Sequence, residues 1–389
     1  MRKSLQTTAT RRSVLMGAAG ASLAAAGCET QAASSRLAEE KGAFAHAFTD
    51  NELLGPKKGV ALLSKNENPY GPAPSAIKMM NYAARKGAYY PGEARKTLAG
   101  LIADRHGLAP ENIAITTGSA EALSAAAMAF GRKGAIVAPR LFFDATALYA
   151  QRLGLAEIRR APLGDDMSVD LAAIEAMVTD ETGMVQLCNP NNPTGMLSEP
   201  GAFKAAVRRM AAKTTVVVDE AYMELVDDPA RNSCVDLVRE GRNVVVSRTF
   251  SKLYGMAGVR VGYTMSSPET ARTIQSAAMS WMSGVGLAAA IGCYNDEKFI
   301  AYSKDKILEG REMISETLQA LGCDAAPSQT NFVYFKSGRP ANDVRNALSA
   351  KNIIVRGQYM DYSEWSRVST GRLEDVVRFC KALPEILQA

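Results

Sequence analysis

From about residue 110 the chain alternates short, mostly apolar β-type runs with stretches of helix length. The runs cover residues 112–116, 135–138, 184–188, 214–218 and 243–247. Such runs predict strands of a parallel sheet covered by helices on both faces. Residues 120–130, rich in Ala with Leu123, Met128 and Phe130, predict a helix after the first run. Each run stops at a turn-forming or polar cluster: Gly118-Ser119, Pro139, Asn189-Pro190, Asp219-Glu220 and Arg248-Thr249. Open α/β sheets place their ligands at such strand ends. From residue 300 the pattern changes to a long helical period over 300–321, then short strands over 331–335, 353–355 and 367–369, and a terminal helix over 374–387. The expected organisation is a large α/β domain over residues 76–297 and a smaller α+β domain over 298–389. An N-terminal arm, 34–75, is expected to join the smaller one.

Residues 1–33 have a different character. Thr10-Arg11-Arg12-Ser13-Val14-Leu15 leads into a weakly apolar run ending at Ala24-Ala25-Ala26. A charged start, a short apolar centre and small residues at the end make a cleavable export signal, and the paired arginines point to the twin-arginine route into the periplasm. The run is too short and too rich in Gly and Ala for a membrane span. Ala25-Ala26-Gly27-Cys28 also resembles a lipoprotein acceptor site, so membrane attachment is expected only through a lipid on Cys28.

Composition narrows the function classes. Hydrophobic residues are 47% of the 389 and charged residues 22%, which excludes a disordered or collagen-like chain. Of the net charge of +5, four bases and one acid lie in the first thirty residues, leaving +2 for the rest. That is too near neutral for a nucleic-acid footprint. The two histidines, His46 and His106, are far apart, so a His-rich metal cage is excluded. The six cysteines include no CxxC pair, hence no zinc ribbon or thioredoxin motif. No metal is expected.

Four clusters carry candidate chemistry. Lys252 follows Thr249-Phe250-Ser251, with Arg260 eight residues on, a setting that suits a Schiff-base amine beside an anchored phosphate. Alone it also reads as a surface lysine near serines. Asp219 ends a buried valine run, where a carboxylate is costly unless paired; a pyridinium nitrogen is a fitting partner, a helix cap the plainer one. Asn189-Pro190-Asn191-Asn192-Pro193-Thr194-Gly195 is a rigid turn whose amides can hold a phenolate oxygen. Thr117-Gly118-Ser119-Ala120 is a strand-to-helix turn able to cradle a phosphate. Schiff-base amine, pyridinium partner, phenolate donor and phosphate cradle together are the inventory of pyridoxal 5′-phosphate.

With Asn66-Glu67-Asn68-Pro69-Tyr70-Gly71 and Tyr90-Pro91-Gly92, these clusters make residues 58–389 resemble the fold-type I pyridoxal-phosphate aminotransferases of class I/II, in their histidinol-phosphate aminotransferase branch. The resemblance implies a mostly parallel seven-stranded sheet flanked by helices, with Lys252 as Schiff-base lysine and proton shuttle. It also implies Asp219 on the pyridine nitrogen, and Asn192 and Tyr222 on the 3′-oxygen. Thr249, Ser251 and Arg260 would hold the phosphate with the Ser119–Ala120 backbone. Tyr90 would reach the phosphate of a neighbouring subunit in a homodimer. Arg367 would take the substrate carboxylate, with Asn192 and Tyr70 nearby. Three departures stand out. Pro139-Arg140-Leu141-Phe142-Phe143 carries an insertion, leaving Phe143 the favoured stacking ring over Phe142. Ala120 replaces a usual aspartate. Arg356 matches a position that binds a distal phosphate, and reads equally as a solvated arginine after a strand.

The expected reaction moves an amino group between an amino acid, or related amine, and a 2-oxo acid. Decarboxylation or oxygen-dependent oxidation on the same site is the alternative enzyme class, and a non-catalytic exported binding protein a third, which the intact lysine disfavours. The twin-arginine route carries folded protein, so cofactor is loaded before transport and no disulfide framework is required. Export argues against histidinol phosphate as the substrate and for a free amino acid or peptidic amine outside the cytoplasm.

Overall fold

The computed structural model describes residues 53–279 and 281–388. The export signal, Cys28 and His46 lie outside them. Residues 53–60 belong to a separate unit, in which the Val60 N–H closes a turn onto the Lys57 carbonyl at 3.0 Å. From residue 61 the described chain is one compact unit.

Its strands are β1 (Ala61–Leu62), β2 (Ile113–Thr116), β3 (Ala135–Pro139), β4 (Ile158–Ala161), β5 (Thr182–Cys188), β6 (Thr215–Asp219), β7 (Val244–Thr249), β8 (Gly262–Met265), β9 (Asp324–Ala325), β10 (Phe332–Lys336), β11 (Ile353–Ile354) and β12 (Trp365–Ser369). Seven of them form the central sheet in the order β2-β8-β7-β6-β5-β3-β4. Only β8 runs against its neighbours. The expected mostly parallel seven-stranded sheet is therefore present, and β4 and β8 are strands the apolar runs did not announce.

Alternation along each strand builds two cores from one apolar run. Val216 and Val218 of β6 and Val244 and Val246 of β7 join one cluster; Val217 and Val245 join the other. Successive side chains leave a strand on opposite faces, so a run with both faces covered must be apolar throughout. A third cluster gathers Ala61 and Leu63 with Val333, Phe335, Leu348, Val368, Phe379 and Leu383. There β1 pairs in parallel with β11, and β10 lies antiparallel between β12 and β9. The long helix Glu297–Ala320 is capped by Asp296, whose carboxylate accepts the Phe299 N–H at 3.1 Å.

Below the strand ends sits a buried ion pair that the sequence did not flag. Arg248 donates to Glu220 Oε2 from Nε at 3.1 Å and from Nη2 at 2.9 Å. Ser233 Oγ and the Cys234 N–H complete the Glu220 carboxylate, each at 2.7 Å. Removing the Glu220 charge leaves the buried Arg248 only the longer contact of its Nη1 with Glu224 Oε1, 3.7 Å. Glu220→Gln should lower unfolding stability by about 3 kcal/mol, read by urea denaturation; a loss under about 1 kcal/mol would show the pair to be dispensable.

Candidate active site

A cavity of about 400 Å³ opens where β5, β6 and β7 end. Three of the predicted clusters converge on it, and the helix Ser119–Gly131 points its N-terminus in from the fourth.

Lys252, half-buried, donates from Nζ to the Asn66 carbonyl at 3.0 Å. Burial, reinforced by the positive charge of Arg367, brings its amine down to about 8, against the opposing pull of Asp219 and Glu67. Asp219, last residue of β6, is 3% exposed, and its Oδ1 has no hydrogen-bond partner. Oδ2 receives a long contact from Cys188 Sγ, 3.9 Å. Burial raises this carboxyl to about 7 even though the Ala221 N–H and Lys252 pull it down. An unpaired carboxylate at such depth is unfavourable. A cationic ring nitrogen satisfies it, so the site fits the pyridinium of pyridoxal phosphate.

The phosphate end fits as well. Arg260 holds a left-handed backbone, φ 64°, and aims its guanidinium at Ser251 Oγ, 3.4 Å, and the Thr117 carbonyl, 3.4 Å. Thr249 Oγ1 donates to Ser251 Oγ at 2.9 Å and accepts the Ser251 N–H at 3.1 Å. Gly118 has φ +78°, and a Cβ there would collide with the Arg260 guanidinium. Glycine at this turn is what lets arginine and helix N-terminus meet. The free N–H groups of that first helical turn favour an anion.

Tyr222 Oη accepts from Asn66 Nδ2 at 3.1 Å and Asn192 Nδ2 at 3.4 Å. Burial pushes this phenol well above its usual range. Arg367 is buried; Nη1 donates to Asn192 Oδ1 at 2.6 Å and Nη2 to the Ser64 carbonyl at 2.7 Å. Its Nε has no partner. Phe142 is packed into the core with the Arg160 guanidinium 5.1 Å over its ring, whereas Phe143 is half-buried. Both line the cavity, as do Ala120 and Arg356.

Two expected residues are not brought there within this chain. Tyr70 lies elsewhere, its Oη accepting the Leu373 N–H at 2.9 Å. Tyr90 is 81% exposed and packs on Trp281, ring centroids 4.6 Å apart, outside the cavity. Conversely, Ser64, Lys65, Asp144 and Tyr359 line the cavity without having been singled out. Asn66 is the larger omission. In a left-handed conformation, φ 55°, it meets Lys252 and Asn331 with its carbonyl, Tyr222 with its amide, and Ser369 Oγ with its N–H. The dense Asn-Glu-Asn-Pro-Tyr-Gly turn was the available signal, since asparagine tolerates that backbone.

Residues 58–383 match the aminotransferase class I and II family. The histidinol-phosphate aminotransferase of Halalkalibacterium halodurans is 33% identical over 331 residues, 84% of this chain and 89% of that one. That of Moorella thermoacetica is 33% identical over 334 residues, covering 85% and 86%. The crystal structure of histidinol-phosphate aminotransferase from Sinorhizobium meliloti in complex with pyridoxal-5′-phosphate superposes with a TM-score of 0.79 at 30% identity, over 88% of this chain and 98% of that one.

Proposed function

The chain belongs to the class I and II aminotransferases, and from that premise we propose how its residues divide the work and where it operates. It is a pyridoxal-phosphate-dependent transaminase, moving an amino group between an amino acid or related amine and a 2-oxo acid. When bound, the cofactor supplies an electron sink for the carbanion formed at the substrate Cα. Lys252 Nζ, with its lowered affinity for protons, takes the Cα proton and holds it beside the Asn66 carbonyl. Asp219 Oδ1 would hold a proton on the ring nitrogen. Thr249, Ser251, Arg260 and the Ser119–Ala120 N–H groups would hold the phosphate, and Asn192 with Tyr222 would hold the 3′-oxygen. Phe143, half-buried in the cavity wall, would stack on the ring. The orphan Asp219 oxygen in the same cavity as Lys252 is the observation that carries this assignment.

The test is a half-reaction. A substrate amino acid without acceptor should bleach the cofactor's visible absorbance, and a 2-oxo acid should restore it. Carbon dioxide or peroxide released without an acceptor would instead identify a decarboxylase or oxidase.

Arg367, whose guanidinium lines the cavity, is assigned to the substrate carboxylate, and Arg356 to the far end of the substrate. A planar guanidinium suits a carboxylate better than a point charge does. Arg367→Lys is expected to lower kcat/KM roughly 10- to 100-fold, mostly through KM. Unchanged KM across amino-acid substrates would remove Arg367 from the site.

Assembly and location complete the proposal. Tyr90, Met279 and Trp281 are each at least 79% exposed. Bulky apolar groups displayed together mark an interface, and a homodimer would cover them while bringing Tyr90 to the neighbouring phosphate. Light scattering should give twice the mass of one chain; a monomer would refute the dimer. Arg11-Arg12 supports twin-arginine export, with lipidation at Cys28 as the route to a membrane. Among the described residues no helix is long and apolar enough to cross one. Replacing both arginines by lysine should retain the protein in the cytoplasm, while unimpaired export would contradict this route. Outside the cytoplasm a free amino acid or peptidic amine fits as substrate better than histidinol phosphate.

A further inference from the structure

We infer that Tyr359 is a positioning residue whose ring holds the guanidinium groups of Arg367 and Arg356 in the cleft and fixes their separation. The inference rests on the proposed reading of those two arginines as substrate groups. Their backbones form an antiparallel bridge: the Arg356 N–H donates to the Arg367 carbonyl at 2.9 Å, and the Arg367 N–H to the Arg356 carbonyl at 2.8 Å. Residues directly opposite in such a pair project to the same side, so two positive side chains leave the backbone as close neighbours. Like charges so placed repel unless something holds them.

Arg367 is held on several sides. Asn192 and Ser64 take its Nη atoms, and its Cζ lies 5.1 Å from the Phe332 ring centroid and 5.6 Å from that of Tyr359. Arg356 has far less. Among the described residues its side chain has no hydrogen bond or ion pair, and its Cζ lies 5.2 Å from the Tyr359 centroid. One ring thus meets both cations through its π-electron density. The ring is itself fixed from behind: it meets Tyr334 edge-on at 6.0 Å, and Tyr334, fully buried, stacks on Trp365 at 4.9 Å. A ligand with an anion at each end spans both arginines and reads their separation. A ligand with one anion reads Arg367 alone.

The experiment titrates holoenzyme with glutarate and with butyrate as dead-end ligands, followed by the cofactor's absorbance. Native protein should bind glutarate more tightly than butyrate. Tyr359→Leu should weaken glutarate roughly 5- to 30-fold and butyrate by no more than about 3-fold, whereas Tyr359→Phe, which keeps the ring, should match the native protein. Arg356→Gln should reproduce the glutarate loss, and adding Tyr359→Leu to it should cost little more, because both act on one contact. The inference is overturned if Tyr359→Leu leaves glutarate binding unchanged or weakens both ligands equally, if Tyr359→Phe is as impaired as Tyr359→Leu, if the two losses add, or if native protein does not prefer glutarate. Should Arg367→Lys also leave KM unchanged, the substrate-arginine reading fails with it; should only the Tyr359 results fail, that reading stands.

Discussion

Lys252→Ala holoenzyme is expected to turn over on the order of 10⁴-fold more slowly than the native protein, because the substitution deletes the proton-transferring base itself. Among the described residues the only other lysine lining the cavity is Lys65, which is exposed. Burial next to Arg367 has brought the Lys252 amine to about 8. At pH 7.5 roughly a quarter of molecules then carry the neutral nucleophile, against about one in a thousand for an ordinary lysine. The pH dependence follows. Covalent capture of an aldehyde by apoprotein should accelerate as pH rises through about 8 and then level off; an unshifted lysine would keep accelerating toward 10.4 or so. Because the folded value lies below the unfolded one, the native state binds fewer protons between those values, and this group's contribution to apoprotein stability rises with pH across that window. Turnover within about tenfold of native in the alanine variant would remove Lys252 from the chemistry.

Asp219→Asn should cost roughly 10²- to 10³-fold in kcat with KM little changed, the magnitude of breaking one buried charge pair. Asparagine keeps the shape and loses the charge that holds a proton on the ring nitrogen. The apoprotein should behave oppositely. Its Asp219 is raised to about 7 by burial, well above the unfolded carboxyl, so the native state binds the extra proton between the two values. Stability contributed by that proton is present at low pH and lost as pH rises from about 4 to 7, by a few kcal/mol. Asp219→Asn apoprotein should lack this slope in denaturation series at successive pH values. A variant with native kcat and an unaltered slope would show that the orphan oxygen has no part in either effect.

Much of this was legible along the chain because two signals coincide. The valine run 216–218 is apolar at every position because both sheet faces are covered, and the parallel topology that goes with it puts ligands at the ends where Asp219, Asn192 and Thr249 stand. Sheet order was not legible, since nothing local tells β8 to insert antiparallel between β2 and β7. Partners formed across long separations were hidden for the same reason: Asn66 reaches Ser369 over 303 positions, and Glu220 pairs with Arg248 only because their strands lie side by side. Tyr359 follows Gly357-Gln358 in a stretch with no hydrophobic period, so its contact with two arginines emerges only from folding. Tyr70 shows the converse. A motif position expected near substrate spends its hydroxyl on the Leu373 N–H at the start of the last helix.

Borohydride reduction of purified holoenzyme, followed by peptide mass mapping, asks the most direct question. The expected result is one reduced pyridoxyl group, on the Nζ of Lys252. A label on any other lysine, or none on protein that carries stoichiometric cofactor, would contradict the assignment.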